Sequence, residues 1–378
     1  RILTLIMKNT KLWFGALILV VIVALSIVFG RATQTVKIGA MFPLTGGLAS
    51  YGELARNMAA LAVEEINSTG GINGRQLELI IDDHKCDPKQ AIAVFEKQAS
   101  VDDVHIFTSV ACTGTVLSIA SQLEAKNAVL LGTITSGNKL TGVSPNFFRN
   151  WASDRQESRL LADEIIKKGY KSVAAIYEET DYAKGLVISL QEFLKDSGVE
   201  LSTESFAVNA TDVRSQLTKL SALKADLLFV SVQTVTTGET VLTQMEQLKF
   251  QPNNLFVSDN ILKTQTLLTD HSRLLEGAIG ADYVIPVNSR LEDVMLKYKE
   301  KYGSDCLQIN LCAAEYDAAR LLAEAMKNTD GSTLSVRNYL KVVNYDGVSG
   351  QVSFDSNNDR ANAAYSLFKI SAGKAGIK

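Results

Sequence analysis

A chain of 378 residues with 46% apolar and 21% charged side chains has the make-up of an ordinary folded protein, and its length suggests about two domains of roughly 150 residues each. Its 38 basic and 41 acidic residues leave a net charge of −3, which argues against a basic nucleic-acid footprint. Three histidines, His84, His105 and His271, offer few candidates for a metal centre or general base, and the four cysteines, Cys86, Cys112, Cys306 and Cys312, lack the CxxC spacing of structural zinc sites.

The N-terminus sets the compartment. Leu12–Phe29 is an uncharged run of 18 residues, preceded by Arg1, Lys8 and Lys11 and followed by Arg31. A charged start followed by an apolar core reads as an export signal or an uncleaved membrane anchor. The excess of positive charge ahead of it places the bulk of the chain outside the cytoplasm. Met7 is a candidate translation start.

From Thr35 onward strands and helices alternate. Val36–Phe42 reads as a strand, Pro43–Tyr51 as a loop, and Gly52–Asn67 as a helix with Leu54, Met58, Leu61, Ala62 and Ile66 on one face. Gly70-Gly71 and Asn73-Gly74 form a turn before strand Leu77–Asp82. Helix Pro88–Ser100, strand Val104–Val110, helix Thr115–Lys126 and strand Ala128–Gly132 follow. The pattern restarts after Trp151: helix Ser153–Lys168 with Ser153 as cap, strand Ser172–Tyr177, helix Ala183–Ser197, strand Val199–Ala207, helix Val213–Leu223, strand Asp226–Val230, helix Thr237–Leu248 and strand Leu255–Ser258. Beyond Gly280 come a strand, helices Arg290–Tyr302, Cys312–Met326 and Leu334–Val343, and closing strands near Val352–Phe354 and Ala364–Ile370. Repeated strand–helix units imply an α/β protein, doubly wound, with parallel sheets in two similar lobes.

Catalytic signatures are missing: there is no GxGxxG after a strand, no GxxxxGK[ST], no GxSxG and no HExxH. The chain is therefore not expected to be an enzyme, and no cofactor or metal is implied. The acidic groups Asp82-Asp83 with Asp87, and Asp355–Asp359, read as solvated loops. His84 reads as a surface histidine, since no further ligand stands at metal spacing. What remains is polar residues in loops after strands: Thr113 and Thr115, Thr133, Thr135 and Ser136, Tyr182 and Lys184, and Asp259. Open α/β sheets bind ligands beyond the carboxyl ends of their strands, where hydroxyls and helix N-termini hold a carboxylate.

Long segments carry a resemblance: VKIGAMFPLTGGLASYGELARNMAALAVEEINSTGGINGRQLELIIDDHKCDPKQAI, then VACTG, TSGNKLT, EYDAARLLAEA and GQVSFD. Over about Val36–Ile370 the chain resembles the extracytoplasmic solute-binding proteins of branched-chain amino acid ABC transporters, the leucine/isoleucine/valine-binding family. That implies a periplasmic-binding-protein type I fold with three crossings. Lobe one would be 36–152 plus 284–350, lobe two 153–283 plus 351–378, and 1–34 a signal or anchor. The implied function is capture of a free amino acid, branched-chain or similar, by a monomer that delivers it to an ABC permease at the membrane. A sensing domain on the same fold, taking an amino acid, amide or urea-like solute, is the alternative.

The resemblance implies the following site. Thr113 and Ser136 contact the ligand carboxylate, with a backbone donor at Ile134; Tyr51 lies in the first loop; Tyr182 covers the ligand from lobe two; Asp259 takes the ammonium where the prototype has glutamate. Gln233 stands at another position where the family has tyrosine. Closure of the cleft brings Tyr182 and Asp259 down and removes water. Some relatives bond a cysteine pair corresponding to Cys86 and Cys112, which makes that the first pairing in an exported protein; Cys306 and Cys312 are left, free or bonded across a short loop.

Overall fold

The structure is a computed structural model describing residues 35–378, so the apolar segment Leu12–Phe29 lies outside the described residues. Among the described residues no helix is long and apolar enough to cross a membrane. Two sheets organise the chain. The first is all parallel, with spatial order β2-β1-β3-β4-β5: β1 (Val36–Phe42), β2 (Leu77–Asp83), β3 (Ile106–Val110), β4 (Val129–Thr133) and β5 (Phe147–Arg149). The second holds β6 (Ser172–Glu178), β7 (Glu200–Phe206), β8 (Leu227–Ser231), β9 (Leu255–Val257) and β10 (Ile279–Val284). Strands β11 (Tyr345–Gly347) and β12 (Gly350–Val352) form a separate hairpin. Then β13 (Ala364–Ser371) and β14 (Lys374–Ile377) join the second sheet antiparallel, giving the order β14-β13-β10-β9-β8-β6-β7.

The central strands are apolar because helices cover both sheet faces. Alternation sends Ile38, Ile106, Val129 and Leu131 toward helix Ile309–Lys327, where Ala318, Leu321 and Leu322 meet them. Phe107 and Leu130 point the other way, onto Phe95, Val116 and Ile119. The second sheet repeats the scheme: Val173, Leu227 and Phe229 pack on Leu161, Leu186 and Leu190, while Ile176, Leu228 and Val230 pack on Leu217, Val241 and Met245. Caps set the helix starts. Asp87 accepts from the Gln90 amide with Pro88 in the first turn, and Ser153 accepts from the Arg155 amide, the cap anticipated from sequence.

The chain passes between the two layers after β5, after β10, and again between β12 and β13. Two buried arginines tie these passages. Arg149 grips Asp359 in a two-point ion pair, Nε to Oδ1 at 2.8 Å and Nη2 to Oδ2 at 2.5 Å, and also donates to the carbonyls of Ser136 at 2.8 Å and Gly137 at 3.0 Å. Arg360 reaches the Asn150 side chain at 3.1 Å and the Ser349 carbonyl at 2.8 Å, and lies 5.7 Å from the centre of the Tyr283 ring. One residue thus joins all three passages.

Several sequence expectations need correction. Asp359 is not a solvated loop residue, because the guanidinium of Arg149 takes both its oxygens. Asp82 and Asp83 also have protein partners: Lys97 lies 2.7 Å from Asp82, and Asp83 accepts from the Leu44 amide at 2.8 Å. His84 is buried, with 1% exposure; its Nδ1 accepts the Cys86 amide at 3.0 Å and its own amide donates to the Phe42 carbonyl. Strand β5 and the short helices Asp259–Lys263, Gln265–Asp270 and Ser272–Leu275 carry no periodicity long enough to announce them.

Replacing Arg149 with Leu takes the guanidinium away from the half-buried Asp359 carboxylate and from several buried carbonyls. Unfolding in guanidinium should show a loss of about 3–5 kcal/mol; a loss under about 1 kcal/mol would mean that the clamp is idle.

Candidate functional site

On the first sheet the site is shaped by two loops at the carboxyl ends of β3 and β4. After β3, Ala111 (φ 61°) and Cys112 (φ 63°) are left-handed, and so are Lys85 (φ 54°) and Cys86 (φ 58°) across from them. Each such non-glycine residue costs on the order of 1–3 kcal/mol, so something must hold them. A disulfide between Cys86 and Cys112, Cα atoms 5.5 Å apart, joins the two loops. The reversal presents Thr113 as the first residue of helix Thr113–Ala125, whose N-terminus is electropositive. Thr115 is used structurally, its hydroxyl donating to the Cys112 carbonyl at 2.6 Å.

After β4, Thr133 turns inward and donates to Glu315 at 2.6 Å, with Thr108 donating to the same carboxyl at 3.0 Å. Burial pushes Glu315 up to about 8 despite these hydroxyls. Ile134 is left-handed (φ 52°), Ser136 is buried, and Gly137 lies directly on the Thr113 side chain, where a Cβ would collide. Glycine at 137 is what lets the two loops meet.

On the second sheet a charged cluster is buried beyond β9 and β10. Tyr182 donates to Oδ1 of Asp259, and Lys263 reaches Oδ2 of the same carboxylate at 2.6 Å and Asp282 at 2.9 Å. Lys263 also lies 5.4 Å from the centre of the Trp151 ring, which packs against Tyr283. Burial pulls the lysine pKa down, but Asp259 and Asp282 outweigh it and hold the amine charged. Behind them stand Asp154, accepting from Tyr365 at 3.3 Å, and Glu157, one helical turn on and buried. Burial, with Asp259 adding to it, pushes Asp154 up to about 7 and Glu157 well above the carboxylate range. Burial also raises Asp282, held down in part by Lys263, to about 6.

The two halves touch around this cluster. Tyr51 donates to Asn260 at 3.4 Å, and its own titration moves up to about 12 through burial. Gln233 donates to Cys86 Sγ at 2.8 Å, and Lys139 pairs with Asp181 at 3.1 Å. The arrangement is closed.

Of the residues singled out from sequence, Tyr182 and Asp259 are in direct contact, Tyr51 faces them from the first sheet, and Thr113, Ile134 and Ser136 sit on the paired loops. Lys184 does not converge; it pairs with Glu179 at the surface. Sequence reasoning missed Lys263, Asp154, Glu157 and Asp282. Lys263 had a usable signal, standing four residues after Asp259 on a helix. Asp154 and Glu157 look like ordinary first-turn acids, and only the tertiary structure turns them inward. Both cysteine pairs are bonded, Cys306 to Cys312 as well as Cys86 to Cys112.

A family model described as periplasmic binding protein matches residues 35–375. The chain belongs to the periplasmic binding protein family. This periplasmic binding protein is 26% identical over 358 residues to a Leu/Ile/Val-binding protein homolog of Brucella abortus, covering 88% of each chain. It is 29% identical over 206 residues to a leucine-, isoleucine-, valine-, threonine- and alanine-binding protein of Pseudomonas aeruginosa, a match spanning 53% of this chain and 54% of that one. Among solved structures, a leucine-binding protein from Thermotoga maritima superimposes with a TM-score of 0.80 at 21% identity, covering 91% of this chain and 97% of that one. A solute-binding protein from R. palustris in complex with benzoate gives 0.78 at 15% identity, covering 91% and 95%. These neighbours share the type I fold.

Lys263→Met removes the ammonium that faces Asp259 and Asp282. At pH 7.5 the variant should lose about 3–5 kcal/mol of stability. The loss should shrink below about pH 6, where Asp282 takes a proton and no longer needs the cation. A loss that is small and flat with pH would show that the lysine is not the counter-charge.

Proposed function

We propose that this protein is an extracytoplasmic solute-binding protein that captures a free amino acid between two lobes and presents the closed form to an ABC permease. The two sheets with their helices serve as the lobes, 36–152 plus 284–350 and 153–283 plus 351–378, acting as a monomer. The apolar segment Leu12–Phe29 directs export or anchors the protein to the membrane.

The observation carrying this reading is the opposed chemistry of the two loop sets. The first offers a helix N-terminus with Thr113 and Ser136, suited to a carboxylate. The second offers four buried acids, Asp154, Glu157, Asp259 and Asp282, against Lys263. A solute with one anionic and one cationic end fits between them. Tyr51, Ile134 and Tyr182 close the sides. The Pseudomonas and Brucella relatives are named for binding amino acids of this class. Closure is favoured only to the extent that the ligand binds the closed state better than the open one; contacts completed across the cleft supply that difference.

The benzoate-bound neighbour and the Trp151–Tyr283 wall favour a second reading, an aromatic carboxylate with no amine. The acid surplus weighs against it, because a solute without a cation leaves the acids unmatched.

A thermal-shift panel separates the two. Leucine, isoleucine, valine, alanine and threonine are compared with benzoate and 4-hydroxybenzoate. At a hundredfold excess over its dissociation constant a true ligand adds about 2.7 kcal/mol, a shift of several degrees. We expect it from at least one amino acid and from neither benzoate; a shift from the benzoates alone would reverse the assignment.

A further inference from the structure

We propose that Glu157, with Asp154 beside it, receives the positively charged group of the ligand, and that Asp259 is a positioning residue for Lys263 and Tyr182. The inference rests on the reading above, that the solute carries an amine, and it moves the amine away from the position that the family resemblance implies.

The first support is the occupancy of Asp259. One of its oxygens accepts from Tyr182 and the other from Lys263 at 2.6 Å. The lysine ammonium therefore stands against this carboxylate, in the place a ligand amine would take. Glu157 is in the opposite condition. It is 0% exposed, and neither of its carboxyl oxygens has a hydrogen-bond partner. A buried acceptor left without a donor is costly, on the order of 1–3 kcal/mol or more for a charged group. The dipole of helix Asp154–Lys168 offsets only part of that.

The surroundings suit an ammonium. Such a group brings three N–H donors and no acceptor, and the enclosure has unpartnered carboxyl oxygens on Glu157 and Asp154, alongside one unpartnered donor, the Trp151 indole N–H. Asp154 lies on the same helix face, and its backbone amide donates to the Ser136 carbonyl at 2.9 Å. That bond ties the loop carrying Ser136 to the start of the helix that carries both acids. The groups facing Glu157 from the packed elements are Asp259 and Lys263 from helix Asp259–Lys263, Asp282 from β10, Tyr182 from helix Asp181–Leu194 and Tyr365 from β13. Lys263 is the cation of that set, and it already serves two acids.

A proton must move. Burial pushes Glu157 well above the usual carboxylate range, which favours its protonated form in the unliganded site. When the amine arrives, the carboxyl O–H bond of Glu157 breaks. The carboxylate pairs with the ammonium, which keeps all its hydrogens, and the displaced proton leaves to solvent. Binding therefore tightens as pH rises through the neutral range and loses that dependence once the acid is removed.

The test is calorimetry on the full chain at pH 7 in two buffers of different ionisation enthalpy. The probes are L-leucine, L-alanine and L-threonine, with 4-methyl-2-oxopentanoate as the amine-free match for leucine. The wild type should bind at least one amino acid with release of up to one proton. Glu157→Gln should weaken that binding by about 10–100-fold and abolish the proton release. Its melting temperature without ligand should be kept or raised, since a buried acid has become an amide of the same shape. Asp259→Asn should lower the melting temperature and leave the proton release intact. Amino-acid binding unchanged in Glu157→Gln but lost in Asp259→Asn would overturn this inference and leave the proposed function standing. Binding of the keto acid with no amino-acid binding by the wild type would overturn both.

Discussion

A buried lysine between two buried aspartates is the constraint around which the second half of this protein is arranged. Taking Lys263, Asp259 and Asp282 out of water costs several kcal/mol per ion, and only close mutual contact returns it. The helix that carries two of them is five residues long and shows no periodicity of its own. It is held because Asp259 and Lys263, one turn apart, both find partners: Tyr182 from the neighbouring helix and Asp282 from β10. In the proposed binding mode the cluster forms the floor of the cleft. It also sets the polarity that a solute would meet in the proposed binding mode, since buried carboxyl groups outnumber the one lysine.

The first half solves a different problem. In the proposed binding mode its loops aim a helix N-terminus and two hydroxyls at a solute, a shape that uses left-handed backbone at Cys86, Ala111, Cys112 and Ile134. The Cys86–Cys112 link and the close approach of Gly137 to Thr113 hold that shape. Arg149 then connects it to the passages between the halves, since the guanidinium that binds Asp359 also binds the carbonyls of Ser136 and Gly137. Motion of one half relative to the other would bend segments beside Arg149 and Arg360 and leave both sites intact. In a protein that binds by closing, affinity is set by the difference between open and closed states, and a stiff site with flexure confined to the connections keeps that difference in the ligand contacts.

Much of the architecture was legible in the sequence because parallel strands buried on both faces are continuous apolar runs, such as LLFVS in β8, and the helices between them keep a clear stripe. The resemblance supplied the disulfide between Cys86 and Cys112 and pointed to loops that meet in space. What stayed hidden was the set of polar groups that tertiary structure turns inward. Asp154 and Glu157 look like first-turn acids placed for the helix dipole, Asp359 like part of a polar loop, and His84 like a surface residue. In each case the partner lies far along the chain or across the turn, and spacing carries no trace of it. Asp259, the acid to which the resemblance pointed, is buried, and its engagement with Lys263 is a feature of the folded cluster.

The most direct measurement is a crystal structure grown near neutral pH with an amino acid that raises the melting temperature. The account predicts density for one solute enclosed between the halves, its carboxylate against the N-terminus of helix Thr113–Ala125 and its amine among the buried acids, with Lys263 still bonded to Asp259 and Asp282. A solute bound elsewhere on the surface, or a cleft in which Lys263 has swung into solvent, would contradict it.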